Sequence, residues 1–371
     1  MEKRMLIIGG SGNTGIKIAE LLLKHTESRV TLAARNEDKL VGATATLGER
    51  LSTDKVSWTR VDASDVDSLN QAFSEVDFVV SAASTAQYTR EIAEAAIQAR
   101  IDYLDVQYSN IKVKILKSMI DEIKESGCCF ISEGGFHPGL PAALVRYADT
   151  QMDELESAIT AGVISSDWSN YSVTEATKVE LIQELTDYEL LFLKNGSWEN
   201  PGFWSMRDFP SIDFGEPAGK RMCTPIFFEE LRDLPGQIPS LKNTGFYIAG
   251  FGWFADYIVM PVVFLMMKFF PNVMAKPMGS LFVWAWKTSS KPPYYTMMKL
   301  EAAGKKDGQE SEIVVTLQHE DAYWFTVIPV LACLFQYLDG TIRKPGLHWM
   351  GQLVEPVRLM EDMKNLGIAI N

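Results

Sequence analysis

MLIIGGSGNTGIKIAELLL, residues 5–23, decides the reading of this chain: a short apolar strand runs into a glycine-rich turn and then into an amphipathic helix. Gly10, Gly12 and Gly15 fit a G-x-G-x-x-G spacing, and Gly9, Gly12 and Gly15 fit G-x-x-G-x-x-G, so both registers stay open. In either, one glycine turns the chain, one admits a phosphate to the backbone, and one lets the helix close on the strand. The first helical N–H groups then face the anion with a partial positive charge. The expected contacts to a dinucleotide pyrophosphate are Gly10, Ser11, Gly12, Asn13, Thr14 and Gly15.

Outward from this turn, apolar runs alternate with helical periodicity. Strands are predicted at 4–8, 29–34, 56–61, 78–82, 103–106 and 129–132, with helices near 14–24, 37–51, 66–74, 89–99 and 111–126. Strands buried on both faces read as continuous apolar runs, and this order predicts a Rossmann-type, doubly wound parallel sheet of the α/β class. Beyond Gly134 the rhythm changes: strands at 157–165 and 313–319 are separated by long aromatic, proline-containing and helical stretches. This predicts a second, α+β domain. The polar segment 302–311 reads as a hairpin loop, and the uncharged stretch 322–338 as a buried helix of that second domain.

Composition narrows the function. The 371 residues exceed what one core usually organises, and 47% hydrophobic with 22% charged residues is ordinary for a globular protein. A net charge of -13 excludes a general nucleic-acid binder, which needs a basic surface. The four cysteines and four histidines have no metal-ligand spacing, so reduced thiols and no metal are expected. A secretory leader is not recognisable at the N-terminus, which predicts a cytoplasmic protein.

Several positions bear on chemistry. The second strand ends in Ala33-Ala34-Arg35-Asn36, with no acidic residue for a ribose; Arg35 is read as the partner of a 2′-phosphate, favouring NADP over NAD. Asp62 is read as an acceptor for the adenine amino group, with the equal alternative that Asp65 or Ser64 simply caps the next helix. Ala82, Ala83 and Ser84 supply small side chains where a nicotinamide ribose needs close approach. Tyr108 and Lys112 have the four-residue spacing of a tyrosine–lysine proton-donor pair, but the spacing recurs at Tyr295 and Lys299 and is discounted. In Gly134-Gly135-Phe136-His137-Pro138-Gly139, His137 is the candidate acid–base residue; the alternative is a rigid turn between domains.

These stretches resemble the saccharopine dehydrogenase-like (saccharopine reductase-like) oxidoreductases. The resemblance rests on the glycine turn, Ala34-Arg35-Asn36, Val79-Val80-Ser81-Ala82-Ala83, Tyr103-Leu104-Asp105 and Gly135-Phe136-His137-Pro138-Gly139-Leu140. Gly219-Lys220-Arg221, Leu231-Arg232-Asp233-Leu234-Pro235 and Pro345-Gly346 add to it. It implies an NAD(P)-binding domain over 1–135, a catalytic and dimerising domain on a mixed sheet over 136–349, and a C-terminal helix (about 350–371) returning to the first domain. The family's turn carries aspartate where this chain has His137, and Arg221, Arg232 and Arg343 do not compose an evident site for the two amino-acid carboxylates of saccharopine.

One segment stands apart. Residues 257–300 hold five lysines, no Asp or Glu, and seven of the 16 methionines, in an acidic protein. Its readings are a core or dimer contact, an apolar substrate pocket, or a peripheral contact with an anionic membrane; prolines and lysines interrupt any spanning helix. The expectation is therefore an NADP-preferring oxidoreductase, a homodimer, passing hydride to or from an imine, carbonyl or activated alkene of a small-molecule substrate. The alternative is a non-catalytic, dinucleotide-sensing or membrane-peripheral protein on the same fold.

Overall fold

The computed structural model describes residues 3–171, 173–200, 209–252 and 254–371. The chain divides into two units, Met1–Leu140 with Thr326–Met363, and Pro141–Phe325 with Lys364–Asn371.

In the first unit, strands β1 (Arg4–Ile8), β2 (Arg29–Ala34), β3 (Val56–Arg60), β4 (Phe78–Ser81), β5 (Asp102–Asp105) and β6 (Cys129–Ser132) alternate with helices. These are α1 (Asn13–His25), α2 (Glu37–Leu51), α3 (Val66–Phe73), α4 (Thr89–Ala99), α5 (Asn110–Ser118) and α6 (Ile120–Ser126). All strands are parallel, in the order β6-β5-β4-β1-β2-β3. The order reverses between β1 and β4, the crevice at which open α/β sheets bind ligands. Met5 to Ile8 are all buried, as a strand covered on both faces requires. Leu6 and Ile8 join a core with Leu69, Phe73, Ile92 and Leu116. In α1, Gly15, Ile18, Ala19, Leu21 and Leu22 are buried, a stripe at helical spacing.

A seventh strand, Gly346–Trp349, pairs in parallel with β6 and closes this sheet. This corrects the assignment of residues 136–349 to the second domain. Helix Ala322–Leu338 is likewise divided, since its residues from Thr326 on belong to the first unit. The reason is polar as well as apolar. Tyr337, its ring tilted against that of Phe78 at 4.6 Å, donates its hydroxyl to buried Asp102, which also accepts from Arg343 Nε (2.7 Å) and Cys129 N (2.7 Å). The stretch read as a returning C-terminal helix holds Met350–Leu353 and Pro356–Asn365, and the chain then ends in strand Ala369–Ile370 of the second unit.

The second unit is built on a mixed sheet. Its order is Ser211–Asp213, Lys220–Ile226, Asn243–Ala249, Glu154–Ser165, Tyr295–Lys306, Gln309–His319 and Ala369–Ile370. Asn243–Ala249 and Glu154–Ser165 run parallel, and the remaining neighbours on this path antiparallel. The hairpin predicted with a loop over 302–311 turns on Asp307 and Gly308 alone, with Lys306 opposite Gln309. Both turn residues have positive φ (51° and 75°), the two-residue turn whose twist matches its strands, so polar residues 302–306 continue the ladder. Helices Glu175–Asp187, Met260–Phe269 and Pro271–Ser289 bring Ile182, Val263, Met267 and Phe282 into a separate apolar cluster.

Asp102 holds three donors in the interior, and each matters. Tyr337→Phe should lower the stability of the chain by about 1.5–3 kcal/mol, the usual worth of a hydrogen bond to a charged group. Equilibrium urea unfolding checks this, and an unchanged midpoint would remove the hydroxyl from the account.

Candidate functional site

The glycine turn is set by close backbone approach. Gly9 has φ +82°, and a Cβ on it would meet Ala82 O and Ala83 Cβ at 2.8 Å. A Cβ at Gly10 would meet Leu32 at 2.8 Å, and one at Gly15 would lie 2.3 Å from Gly9 O. The two registers left open by the sequence are thus both occupied: Gly9 is the left-handed turn residue, Gly10 fits against β2, and Gly15 lets α1 close on β1. Gly12 is the N-cap of α1, its own N–H donating to Gly9 O (2.8 Å). It offers no capping side chain, and no acidic residue lies in the first turn. That leaves the partial positive charge of the helix end without local compensation, which suits a pyrophosphate. Ser11 and Thr14 sit at this turn half-buried, and Asn13 opens the helix.

At the other end of the cofactor crevice, Arg35 follows β2 and is exposed. Asp62, partly exposed beyond β3, takes Ser64 N (3.0 Å) and Ser64 Oγ (2.7 Å) on one oxygen. Those bonds, with the charges of Arg35 and Arg60, hold its carboxyl below the usual range. The N-cap of α3 is Asp65, which accepts from Asp67 N (3.1 Å) and Ser68 N (3.4 Å). Ser64 and Asp62 therefore form the turn. After β4, half-buried Ala82 and Ala83 lie against Gly9, and Ser84 is exposed.

The sequence reading missed the polar centre of this edge. Lys112, 2% exposed, pairs with Asp105, 1% exposed, and also donates to Gln107 O. Asp105 accepts from Ser132 Oγ (2.7 Å) and Glu133 N (3.1 Å), and its carbonyl takes Gly134 N (2.9 Å). Buried Tyr103 has its phenol raised well above its ordinary value, by burial first and then by Asp105. One carboxylate thus ties the carboxyl ends of β5 and β6 to α5. Tyr108 instead donates to Asn110 (3.1 Å), so the discounted Tyr108–Lys112 spacing has a different meaning: Lys112 belongs to Asp105. The legible signal was an aspartate ending the fifth strand, seven residues before a lysine.

His137 follows β6 in the same edge. Glu133 takes a left-handed φ of 61°, uncommon outside glycine. Gly139, at φ +117°, approaches Gly135 O and Glu133 O closely enough that a Cβ there would lie at 2.7 and 2.8 Å. The His137 ring lies 4.4 Å from that of Phe136, and burial lowers its pKa to about 4, so the imidazole is neutral at neutral pH. The arginines weighed for carboxylate binding are engaged locally. Arg221 donates to Ala218 O (2.9 Å) and Tyr295 Oη (3.3 Å), Arg232 pairs with Glu229 (2.9 Å), and Arg343 holds Asp102. The cysteines are free and buried, and among the described residues no three His, Cys, Asp or Glu gather as a metal site.

Two measurements probe this edge. Lys112→Met strands a buried carboxylate and should cost about 3–5 kcal/mol, and adding Asp105→Asn should recover part of that loss; urea unfolding of the single and double variants decides it. For His137, the unfolded chain binds the extra proton between pH 6.5 and about 4, so stability is complete above pH 6.5 and falls as pH drops through that window. His137→Gln should flatten this acid limb by up to about 3 kcal/mol. Unfolding curves at several pH values that superpose for the two proteins would contradict it.

Comparison with known proteins agrees with this geometry. Residues 5–130 match the family described as the saccharopine dehydrogenase NADP binding domain. The structure is similar to apo saccharopine dehydrogenase (L-Glu forming) from Saccharomyces cerevisiae, with TM-score 0.65 and 15% identity over 100% of this chain and 99% of that one. An engineered D-amino acid dehydrogenase bound to NADP+ aligns over 97% of this chain and 96% of its own at 14% identity, with TM-score 0.46. No curated protein sequence matches the chain. Residues 5–130 are thus an NADP-binding domain of the saccharopine dehydrogenase type, which makes the chain an NAD(P)-dependent oxidoreductase, and its fold is similar to that of saccharopine dehydrogenase over its length.

Proposed function

We propose that this chain is an NADP-preferring dehydrogenase or reductase that moves hydride to or from a carbonyl, imine or activated alkene of a small molecule. The observation that carries the reading is the turn in which Gly9, Gly10 and Gly15 leave no room for a side chain while Gly12 caps α1 without one. Such a turn fits the pyrophosphate of NADP, with Ser11, Asn13 and Thr14 at the helix end. Arg35, exposed after β2 where an NAD-specific site carries an acid, binds the 2′-phosphate. Asp62, in the turn after β3, borders the adenine. Ala82, Ala83 and Ser84 border the nicotinamide ribose.

NADPH supplies the hydride when bound; the protein supplies position, exclusion of water and the proton path. His137 is the residue assigned to the proton. As a neutral imidazole at neutral pH, it accepts a proton as the substrate is oxidised, and it returns one through its ring when the substrate is reduced. The Asp105–Lys112 pair acts on neither reactant and instead fixes the strand ends on which these groups stand. A homodimer and a cytoplasmic setting belong to the same proposal.

Cofactor choice tests it. Binding measured by nicotinamide fluorescence should favour NADPH over NADH, and Arg35→Ala should weaken NADPH by about 10–100-fold, the loss of a charge-assisted contact, while leaving NADH within about threefold. Equal binding of both cofactors by the parent chain, or of neither, overturns the assignment.

A further inference from the structure

Sixteen large apolar side chains are exposed among the described residues, and nine of them fall between positions 254 and 284. They lie on the π-helical turn Ala255–Val259 and the helices Met260–Phe269 and Pro271–Ser289, or just before them. On the first helix, Ile258, Val262, Leu265 and Phe269 recur at spacings of four, three and four, an outward stripe. Val259, Val263 and Met267 recur at four on the opposite side and are buried. The two helices share this outward surface, because the Phe254 and Trp284 rings meet edge to face at 6.0 Å. The corner between the helices projects most, with Phe269 63%, Phe270 56% and Val273 71% exposed.

The charge of this region selects the occupant. Residues 257–300 carry five lysines and no carboxylate in a chain of net charge -13. Exposed Lys268 and Lys276 flank the corner, the latter touching Glu175 at 3.3 Å. Asp256, just outside the segment, is turned onto Phe251 N (2.9 Å) and Gly252 N (3.1 Å). A second copy of the chain docking through the same patch would bring two equally basic segments together, with no acid in either segment to meet the lysines. A bilayer presents the complementary surface, apolar below and anionic at the headgroups, where lysine stems lie along apolar surface with their heads at phosphate. No helix among the described residues is long and apolar enough to cross a membrane. We propose that this helical corner docks the second unit onto an anionic lipid surface, with Phe269, Phe270 and Val273 entering the headgroup layer and Lys268 and Lys276 meeting its phosphates.

Flotation of the full chain with vesicles of phosphatidylglycerol in phosphatidylcholine, and of phosphatidylcholine alone, tests this directly. The parent chain should float with the anionic vesicles, and added salt should release it. Lys268→Glu should weaken that binding at least about fivefold, following the usual worth of a juxtamembrane charge. The triple variant Phe269→Ser, Phe270→Ser, Val273→Ser should weaken it at least about tenfold, with circular dichroism and thermal transition matching the parent. A parent chain that stays unbound overturns the proposal, as does binding to the neutral vesicles that equals the anionic ones. Sedimentation in which the triple variant dissociates a parent dimer, with no vesicle binding by the parent, assigns the patch to a second copy and overturns it too.

Discussion

The contact between Gly15 and the carbonyl of Gly9 is the constraint on which the first unit rests. A single methyl group at 15 would lie 2.3 Å from that oxygen, so α1 meets β1 at a distance that only hydrogen allows. The same economy repeats on both sides of the turn. Gly10 lies flush with Leu32 on β2, and Gly9 with Ala82 and Ala83 beyond β4. Three strands and a helix therefore converge on a turn made almost entirely of backbone. What this leaves at the crevice is a set of N–H groups rather than side chains, which is what a pyrophosphate needs and a metal or a peptide does not. Packing and recognition here are one requirement.

Backbone alone does not hold the other half of the edge. There the strand ends are tied by charge, with Asp105 accepting from Lys112, Ser132 and the amide of Glu133. An ion pair buried this deeply gains little net stability, because removing both charges from water offsets most of their attraction. Its effect is positional. Replacing the pair with apolar side chains of equal volume would keep the core but lose the directional bonds that hold the turn from Ser132 to Gly134. His137 stands three residues beyond that turn, so the register of the candidate acid–base residue depends on Asp105.

The parts of this arrangement legible in sequence are those set by local pattern. Cys129–Ser132 has the limits that its run predicts, because a parallel strand covered on both faces has no polar alternation to blur it, and Arg29–Ala34 has them through buried Val30, Leu32 and Ala33. Arg35 is likewise readable from its place after the second strand. Long-range partners were not legible. Gly346–Trp349 is four residues long and pairs with β6 more than 200 positions earlier. The helix Ala322–Leu338 is uncharged throughout, so its pattern cannot say which core it enters; Tyr337 and Asp102 decide that. Lys112 was judged by its spacing from Tyr108, whereas its partner is set by where β5 stops.

The helices from 255 to 289 make the limit of pattern reading most concrete. Their apolar residues point both inward and outward, so composition alone registers only an apolar, basic stretch. Coordinates divide it: one stripe closes the cluster around Ile182 and Phe282, and the other faces away from that cluster. A stripe of this kind favours self-association, and nothing in the folding of the second unit requires it. The excess of carboxylates elsewhere in the chain counters that tendency by keeping copies apart. Acid spread over the protein and lysine confined to this segment therefore act together. The first disfavours association of copies through this stripe, and the second leaves a place at which an anionic surface is attracted instead of repelled.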